Sequence, residues 1–516
     1  KANHVRKLNK ADGSVAWQHS INEDQQTYSV AFPPTTPLYN DDSVTGQEFL
    51  YLTSNNGGDS ALPQIRKLRL VDATQDIADG SSTRASTIVT VSNGDINVAN
   101  KADGASLATD GAGALSSSSP YVSVQQAFNK VYFSDGVNYK VLDPTVGTNG
   151  TVTDWTADKA GSVPERGKLL TLWRGRMVIA NTADDPHAWH MSAIADPHDW
   201  DQFPSTPVAT QAISGAQARC GKTPDIVNGI APLTDDLMVF GGDHSLWRLT
   251  GDPMAGGQFD LISDKIGMAF GRAWCKSKDG YLFFFSTQGG VYSLAPNGQM
   301  TSLTDQTISR RLESIDLSKY RVELVWNDSE QGLHLFQIPY HYAAIDRLSY
   351  FWDSRLNAWF EDSFATSSMQ ISASAVTDGD NPNDRELLLG SQDGYVRYWD
   401  RTASHDDGST VESYATIGPI VAVEQMSALR FTGICPELAS NQDGARVEIF
   451  VSPSADDKGV AIKSVDVFSG GRGGMINSRA KGAALWVKLK NVRPKERWAL
   501  EALSTSIYRA GRKRVR

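Results

Sequence analysis

The chain has 516 residues, 40% of them hydrophobic, which is too long for one ordinary core and apolar enough for at least two domains. Its 49 Lys and Arg against 59 Asp and Glu leave a net charge of −10, which argues against a surface built to neutralise duplex phosphates. No stretch approaches the ~20 apolar residues of a membrane span. Cys220, Cys275 and Cys435 lie far apart without C-x-x-C spacing, so the expectation is buried thiols in a reducing cytosol, with no disulfide framework or zinc site.

The opening KANHVRKLNKADG is basic but has no apolar run behind it, so no secretory leader is expected there. Residues 5–17, from Val5-Arg-Lys-Leu to Trp17, resemble one blade of a quinoprotein-type propeller, with strand, turn glycine and tryptophan in that order. The pattern occurs once, which implies a blade-like strand pair and no quinone site. Residues 1–60 also carry Pro33-Pro34 and a polar loop at 54–59. They are expected to form an N-terminal arm and β-segment that packs on the first blade, on the C-terminal domain or on a neighbouring subunit.

From there a short pattern recurs: a continuously apolar strand, a glycine-bearing turn, then an alternating strand. It reads Val131-Tyr-Phe-Ser-Asp-Gly-Val-Asn-Tyr-Lys-Val141, then Leu237-Met-Val-Phe-Gly-Gly-Asp-His-Ser-Leu-Trp-Arg-Leu249. It returns as Leu282-Phe-Phe-Phe-Ser-Thr-Gln-Gly-Gly-Val-Tyr-Ser-Leu294 and as Leu387-Leu-Leu-Gly-Ser-Gln-Asp-Gly-Tyr-Val-Arg-Tyr-Trp399. Weaker copies start at Met177 and Leu333, and residues 88–100 hold an irregular earlier one. An unbroken apolar strand is buried on both faces, and Asp-Gly or Gly-Gly supplies the positive φ of a tight hairpin. The copies start 45 to 60 residues apart, against ~40–50 for a four-stranded propeller blade. The spacing predicts a β-propeller of six or seven blades over residues 61–404, in preference to an array of plain β-sandwiches.

Helix is scarce. Ile308, Leu312 and Ile315 fall on one helical face, which predicts a helix over 306–317 with Asp305 as its cap. The hairpin pattern stops near Asp406. Strands at 445–451, 483–490 and 502–508, with a Gly-rich loop at 470–474, predict a separate β-sandwich platform domain over 405–516. The chain closes on a basic tail, residues 510–516, read as a solvated terminus. The fold class is therefore all-β.

Several strings imitate chemistry. Gly221-Lys222-Thr223 has five residues after Gly215 where a phosphate loop needs four, and Pro224 follows where a helix should open. His187, His190 and His198 sit among Asp184, Asp185, Asp196 and Asp199, a composition that suits metal ligands. The spacing instead follows a duplication, Asp185-Pro-His-Ala-Trp189 and Asp196-Pro-His-Asp-Trp200, read as two turns each followed by a large apolar anchor. The acidic run 378–384 lacks the glycine and final glutamate of a calcium loop and reads as a solvated connection. Ser391-Gln-Asp-Gly departs from the aspartate-box turn of propeller sialidases, since glycine directly follows the aspartate. Neither H-E-x-x-H nor G-x-S-x-G occurs. The chain is read as no enzyme, with no catalytic, cofactor-binding or metal-binding residue.

Residues 167–201 (GKLLTLWRGRMVIANTADDPHAWHMSAIADPHDWD) combine an apolar strand, W-R-x-R, a second apolar strand and tandem D-P-x-x-W turns around Met191-Ser192. In this the chain resembles bacteriophage tail nozzle or tail-hub proteins. Gly289-Gly-Val-Tyr-Ser-Leu followed by 308–312 agrees, as does the run from Ile476-Asn-Ser-Arg through Trp486 and Trp498 to Gly511-Arg-Lys-Arg. The resemblance covers roughly residues 120–516. It implies a structural virion protein in the tail, assembled in the host cytoplasm. It further implies a homo-oligomeric ring, commonly six-fold, joined to tail adaptor and fibre or needle proteins. Such a ring conducts phage DNA during genome ejection and has no catalytic residues or cofactor. The competing class is a carbohydrate-binding or glycan-degrading propeller, because thirteen tryptophans could include a sugar-stacking set.

Overall fold

The computed structural model describes residues 94–96, 113–117, 119, 121–146, 150–340, 347–364, 369–377, 386–391, 396–400, 403, 405–406, 409–421, 427–439, 443–453, 458–467, 475–493 and 498–512, and between 3 and 111 chiefly the strand backbones. Seven antiparallel meander sheets succeed one another from Thr87 to Tyr398. Five have four strands each, in chain order: blade I (residues 123–154), blade II (169–214), blade III (227–263), blade IV (274–302) and blade V (320–361). Three-stranded sheets of residues 87–111 and 371–398 flank them. The first strand of each sheet from blade I onward neighbours the first strand of the next. A further three-stranded sheet, residues 25–70, lies against both Ile371–Thr377 and Thr87–Ser92 and so joins the late sheets to the early ones. Meander sheets set side by side around a common axis, first strand innermost, are a β-propeller.

The repeated apolar strand is the second strand of its sheet in the six copies from Val131 to Leu387, whereas in the irregular copy at 88–100 it is the first, Thr87–Ser92. Leu282–Phe285 is buried at all four residues, Arg176–Ala180 at all five and Gly332–Pro339 at all eight. A strand near the axis has another sheet on each face, so it has no wet side and no reason to alternate. The outermost strands, such as Thr151–Asp154 and Ala358–Glu361, are half-exposed. The tight turns fall where glycine was read: Gly289 and Gly290 take φ values of 84° and 99°. A Cβ at Gly289 would come within 2.6 Å of the Glu313 backbone, so the position needs glycine on two counts. At the N-terminus, Asn3–Leu8 and Val15–Ile21 form an antiparallel pair.

The helix is shorter than its periodicity predicts. Only Ser309–Glu313 is α-helical, and Ile308 stands at the N-cap without a side-chain cap. Asp305 instead accepts the hydroxyl of Ser302 at 2.6 Å. Leu312 and Ile315 are buried as the pattern implies, but Asp316 accepts the N–H of Ser318 at 3.0 Å and turns the chain into the first strand of blade V.

Two compact units divide the chain, residues 1–362 with 367–401 and residues 363–366 with 402–516. The second is a β-sandwich. One sheet orders Tyr414–Val421, Ala484–Asn491, Ala445–Ser452 and Ala461–Val467; the other orders Ala480–Gly482, Ser427–Leu438 and Leu500–Arg512. Phe431 and Ile434 from one sheet meet Val447, Ile449, Val487 and Leu489 from the other in a single buried cluster. Residues 378–384, 470–474 and 513–516 lie outside the described residues.

Trp189 and Trp200 anchor two different cores. Trp189 is fully buried with Met191, Val227 and Phe240, and its ring lies 6.1 Å from that of Phe259. Trp200 is 2% exposed among Trp155, Met177 and Ile179. Both indole N–H groups are satisfied, by the carbonyls of Gly221 at 3.1 Å and Pro197 at 2.9 Å. Trp189→Ala and Trp200→Ala are each expected to cost ~3–5 kcal/mol, read from chemical denaturation midpoints. Losses below ~1 kcal/mol, the range of ordinary surface changes, would contradict the anchoring role.

Candidate functional site

The tandem turns are two copies of one structure. Asp185 accepts the N–H of His187 at 3.2 Å, and Asp196 accepts that of His198 at 3.0 Å. A lysine then pairs with each aspartate, Lys222 with Asp185 and Lys159 with Asp196. Lys222 of the Gly-Lys-Thr string is thereby held in an ion pair, and Thr223 donates to the His187 carbonyl at 2.8 Å. Both residues are thereby engaged with the first of the two turns. The three histidines diverge. The His198 ring meets the Thr156 carbonyl at 2.8 Å, while burial pushes the His190 imidazole down to about 4. Among the described residues no three ligating side chains gather.

W-R-x-R is a hairpin turn between the first two strands of blade II, with Arg174 at φ 51° and Gly175 at φ 69°. Trp173 donates to the Thr234 carbonyl at 2.8 Å and Arg174 to the Asp235 carbonyl at 2.9 Å, which ties blade II to a turn of blade III. Arg176 points inward and is 1% exposed. Its guanidinium donates to the carbonyls of Ser192 at 2.8 Å, Ala209 at 3.1 Å and Gln211. Burial pushes its pKa below the usual arginine value, and carbonyl dipoles take the place of a carboxylate. One of those acceptors, Gln211, also lines an open groove of about 550 Å³, bounded by Phe203, Pro204, Pro207, Arg219 and Met254. Phe203 is 73% exposed there.

A second site lies where the blades converge. Tyr121, at the start of blade I, meets Phe270 at 5.3 Å in an edge-on contact and lies under the Arg321 guanidinium of blade V at 5.9 Å. Side chains from sheets far apart in the chain thus touch one another, which places them at the axis. Glu323 is 2% exposed; one oxygen accepts the N–H and hydroxyl of Ser374 at 2.8 and 2.7 Å. The other faces Arg321 at 3.9 Å. Arg272 lies over the Trp274 ring at 5.2 Å, and burial pushes its pKa down. Tyr121, Ser123, Gln125, Thr171 and Arg272 line a cavity of about 20 Å³ beside this cluster. The sequence contained no signal for it, because Tyr121, Arg272, Arg321 and Ser374 are isolated polar residues that only the ring brings together.

No known protein family matches the chain, and no curated protein does. Among solved structures, Kluyveromyces lactis Hsv2 aligns over 66% of this chain and 97% of its own, at 11% identity and a TM-score of 0.33. A structural genomics protein of unknown function from Bacteroides thetaiotaomicron aligns over 73% of this chain and 98% of its own, at 10% identity and a TM-score of 0.33. Neither likeness bears on the chemistry of these sites.

Two outcomes follow from the geometry. Removing the Arg176 head in Arg176→Met leaves buried carbonyls unsatisfied, at ~1–3 kcal/mol, and loosens the groove wall. The urea denaturation midpoint of Arg176→Met should then fall below that of the parent chain, and an unchanged midpoint would contradict the role given to the guanidinium. Burial raises the Glu323 carboxyl from 4.5 to about 7 against the pull of Arg321 and Ser374. Between those values the folded chain keeps a proton that the unfolded chain has released. This group's contribution is therefore complete below pH 4.5 and is lost as pH rises through about 7. Glu323→Gln should flatten that part of the stability profile, measured as urea midpoints at about pH 5 and pH 8. A slope unchanged by the substitution would contradict the assignment.

Proposed function

We propose that the chain is a structural protein of a phage tail, one subunit of a nozzle or hub ring that conducts the genome and docks fibres or a needle. The observation that carries this reading is how the resembling segment 167–201 is used. Its W-R-x-R and first Asp-Pro turn tie blade II to blade III and the segment before it, its second Asp-Pro turn ties blade II to the segment after blade I, and the Ser192 carbonyl accepts from Arg176 inside blade II. A motif devoted to rigidity suits a scaffold that other subunits grip. The exposed Phe203 beside Pro204, Pro207 and Met254 is an apolar surface of the kind that protein partners cover.

The axis adds a constraint. Tyr121, Phe270, Arg321 and Glu323 meet there, and the adjoining cavity admits about one water-sized occupant. A duplex cannot thread a single propeller, so in a ring the conduit runs between copies. The acidic balance of 59 against 49 residues then keeps the passing duplex from sticking.

A second reading, a carbohydrate-binding propeller, draws on the groove volume of about 550 Å³, which lies in the range of small-ligand sites. Tryptophan stacking does not support it: of the twelve tryptophans whose side chains are described, none is exposed.

The test is the mass of the purified full chain by native mass spectrometry, with proteomics of phage particles. A closed ring, and this chain in virions at tail stoichiometry, is the expected result. A monomer at all concentrations that is missing from particles and binds or cleaves oligosaccharides would replace the tail reading.

A further inference from the structure

The C-terminal sandwich leaves one long strand open. In its three-stranded sheet, Leu500–Arg512 stands at the edge, paired with Ser427–Leu438 on one side. Among the described residues no strand takes the other side. From Ala502 to Arg509 every residue has a partner in turn, so this run is regular. Glu501, just before it, is the extra residue of a bulge. Edge strands of monomeric proteins are guarded by proline, by charge, by bulges or by being short. This strand has 13 residues and no proline, and Ala502-Leu-Ser-Thr-Ser-Ile-Tyr508 carries no charge. Ile507 is 36% exposed and Tyr508 62%, so the edge faces solvent.

The run is chemically symmetrical about Thr505. Stepping outward from it, Ser504 matches Ser506, Leu503 matches Ile507 and Ala502 matches Tyr508. One step further, Glu501 stands against Arg509, opposite in charge. Two antiparallel copies of this strand, related by a two-fold axis at Thr505, place each residue directly opposite its match. Every match then occurs twice: hydroxyl with hydroxyl, leucine with isoleucine, acid with base. A shift of one residue moves Glu501 off Arg509 and turns every side chain to the other face. The strand that supplies this order in reverse is the strand itself, in a second copy of the chain.

We propose that Leu500–Arg512 is a self-association surface, to which a second copy adds the same strand, antiparallel and centred on Thr505. Two three-stranded sheets then continue as one of six strands, and the outward N–H and C=O groups of both edges gain partners. A two-fold contact closes at two copies, so it is separate from the head-to-tail contacts of a ring. It doubles whatever assembly the chain otherwise forms, and it does not rest on the tail reading.

The test is the mass of the full chain by sedimentation velocity over a concentration series. The expected result is a mass that doubles as concentration rises. Glu501→Arg and Arg509→Glu each set like charges opposite one another twice, and each should raise the midpoint about tenfold. An equal mixture of the two variants restores opposite charges at both places and should return the midpoint to that of the parent chain. Thr505→Cys gives a readout of register: directly opposed Cα atoms lie ~4.5–5.5 Å apart, within the ~4.4–6.8 Å that a disulfide spans. Mild oxidation should therefore link two copies through residue 505, and should not link the parent chain. A mass that never doubles, a midpoint that neither single variant moves, a mixture no better than its components, or no link in Thr505→Cys would each overturn the proposal.

Discussion

Covering both faces of the inner strands is the constraint on which this molecule depends. A strand such as Gly332–Pro339, buried along its whole length, is stable only with another sheet on each side. No single blade can provide that. Each sheet therefore needs two neighbours, and a closed circle is the arrangement that leaves no sheet without them. The polar consequences follow from the same geometry. Strands that converge at the axis bring polar side chains such as Arg321 and Glu323 into buried positions, where a charge needs a partner.

The joints between blades show how this demand is met away from the axis. Trp173 and Arg174 reach across to carbonyls of the next blade's turn, and Trp359 donates to the Leu303 carbonyl of the blade before it at 2.9 Å. The tandem Asp-Pro-His turns do the same work at the edge of blade II, each with its own lysine. Of the residues that imitate a phosphate loop or a metal cluster, Lys222 is paired with Asp185, while Thr223 and His198 meet the carbonyls of His187 and Thr156. Their chemistry is that of satisfying buried donors and acceptors, each neutral bond contributing about 0.5–1.5 kcal/mol and costing more when left unmade.

Arginine has two distinct roles in the interior. Arg176 is surrounded by carbonyl oxygens, so its fork of donors is satisfied without a carboxylate. At the axis, Arg321 relies on Glu323, whose carboxyl is itself raised by burial. The first environment is insensitive to pH in the neutral range; the second is not.

Much of the fold was legible because it is periodic. Val131, Met177, Leu237, Leu282, Leu333 and Leu387 all open or lie at the start of second strands of their sheets, since a strand buried on both faces must be apolar throughout and that is visible in a single sequence. The burial of Trp189 and Trp200 was legible for the same reason: a large apolar ring after a fixed turn has few places to go. The extent of the short helix was not, because the competing bond of Asp316 to Ser318 is set by where blade V begins. The axial cluster was beyond reach altogether. Tyr121, Arg272, Arg321, Glu323 and Ser374 span some 250 residues without a common motif. Local sequence determines which strands form and which face is apolar; only closure of the ring decides which polar residues from distant strands must share one buried space.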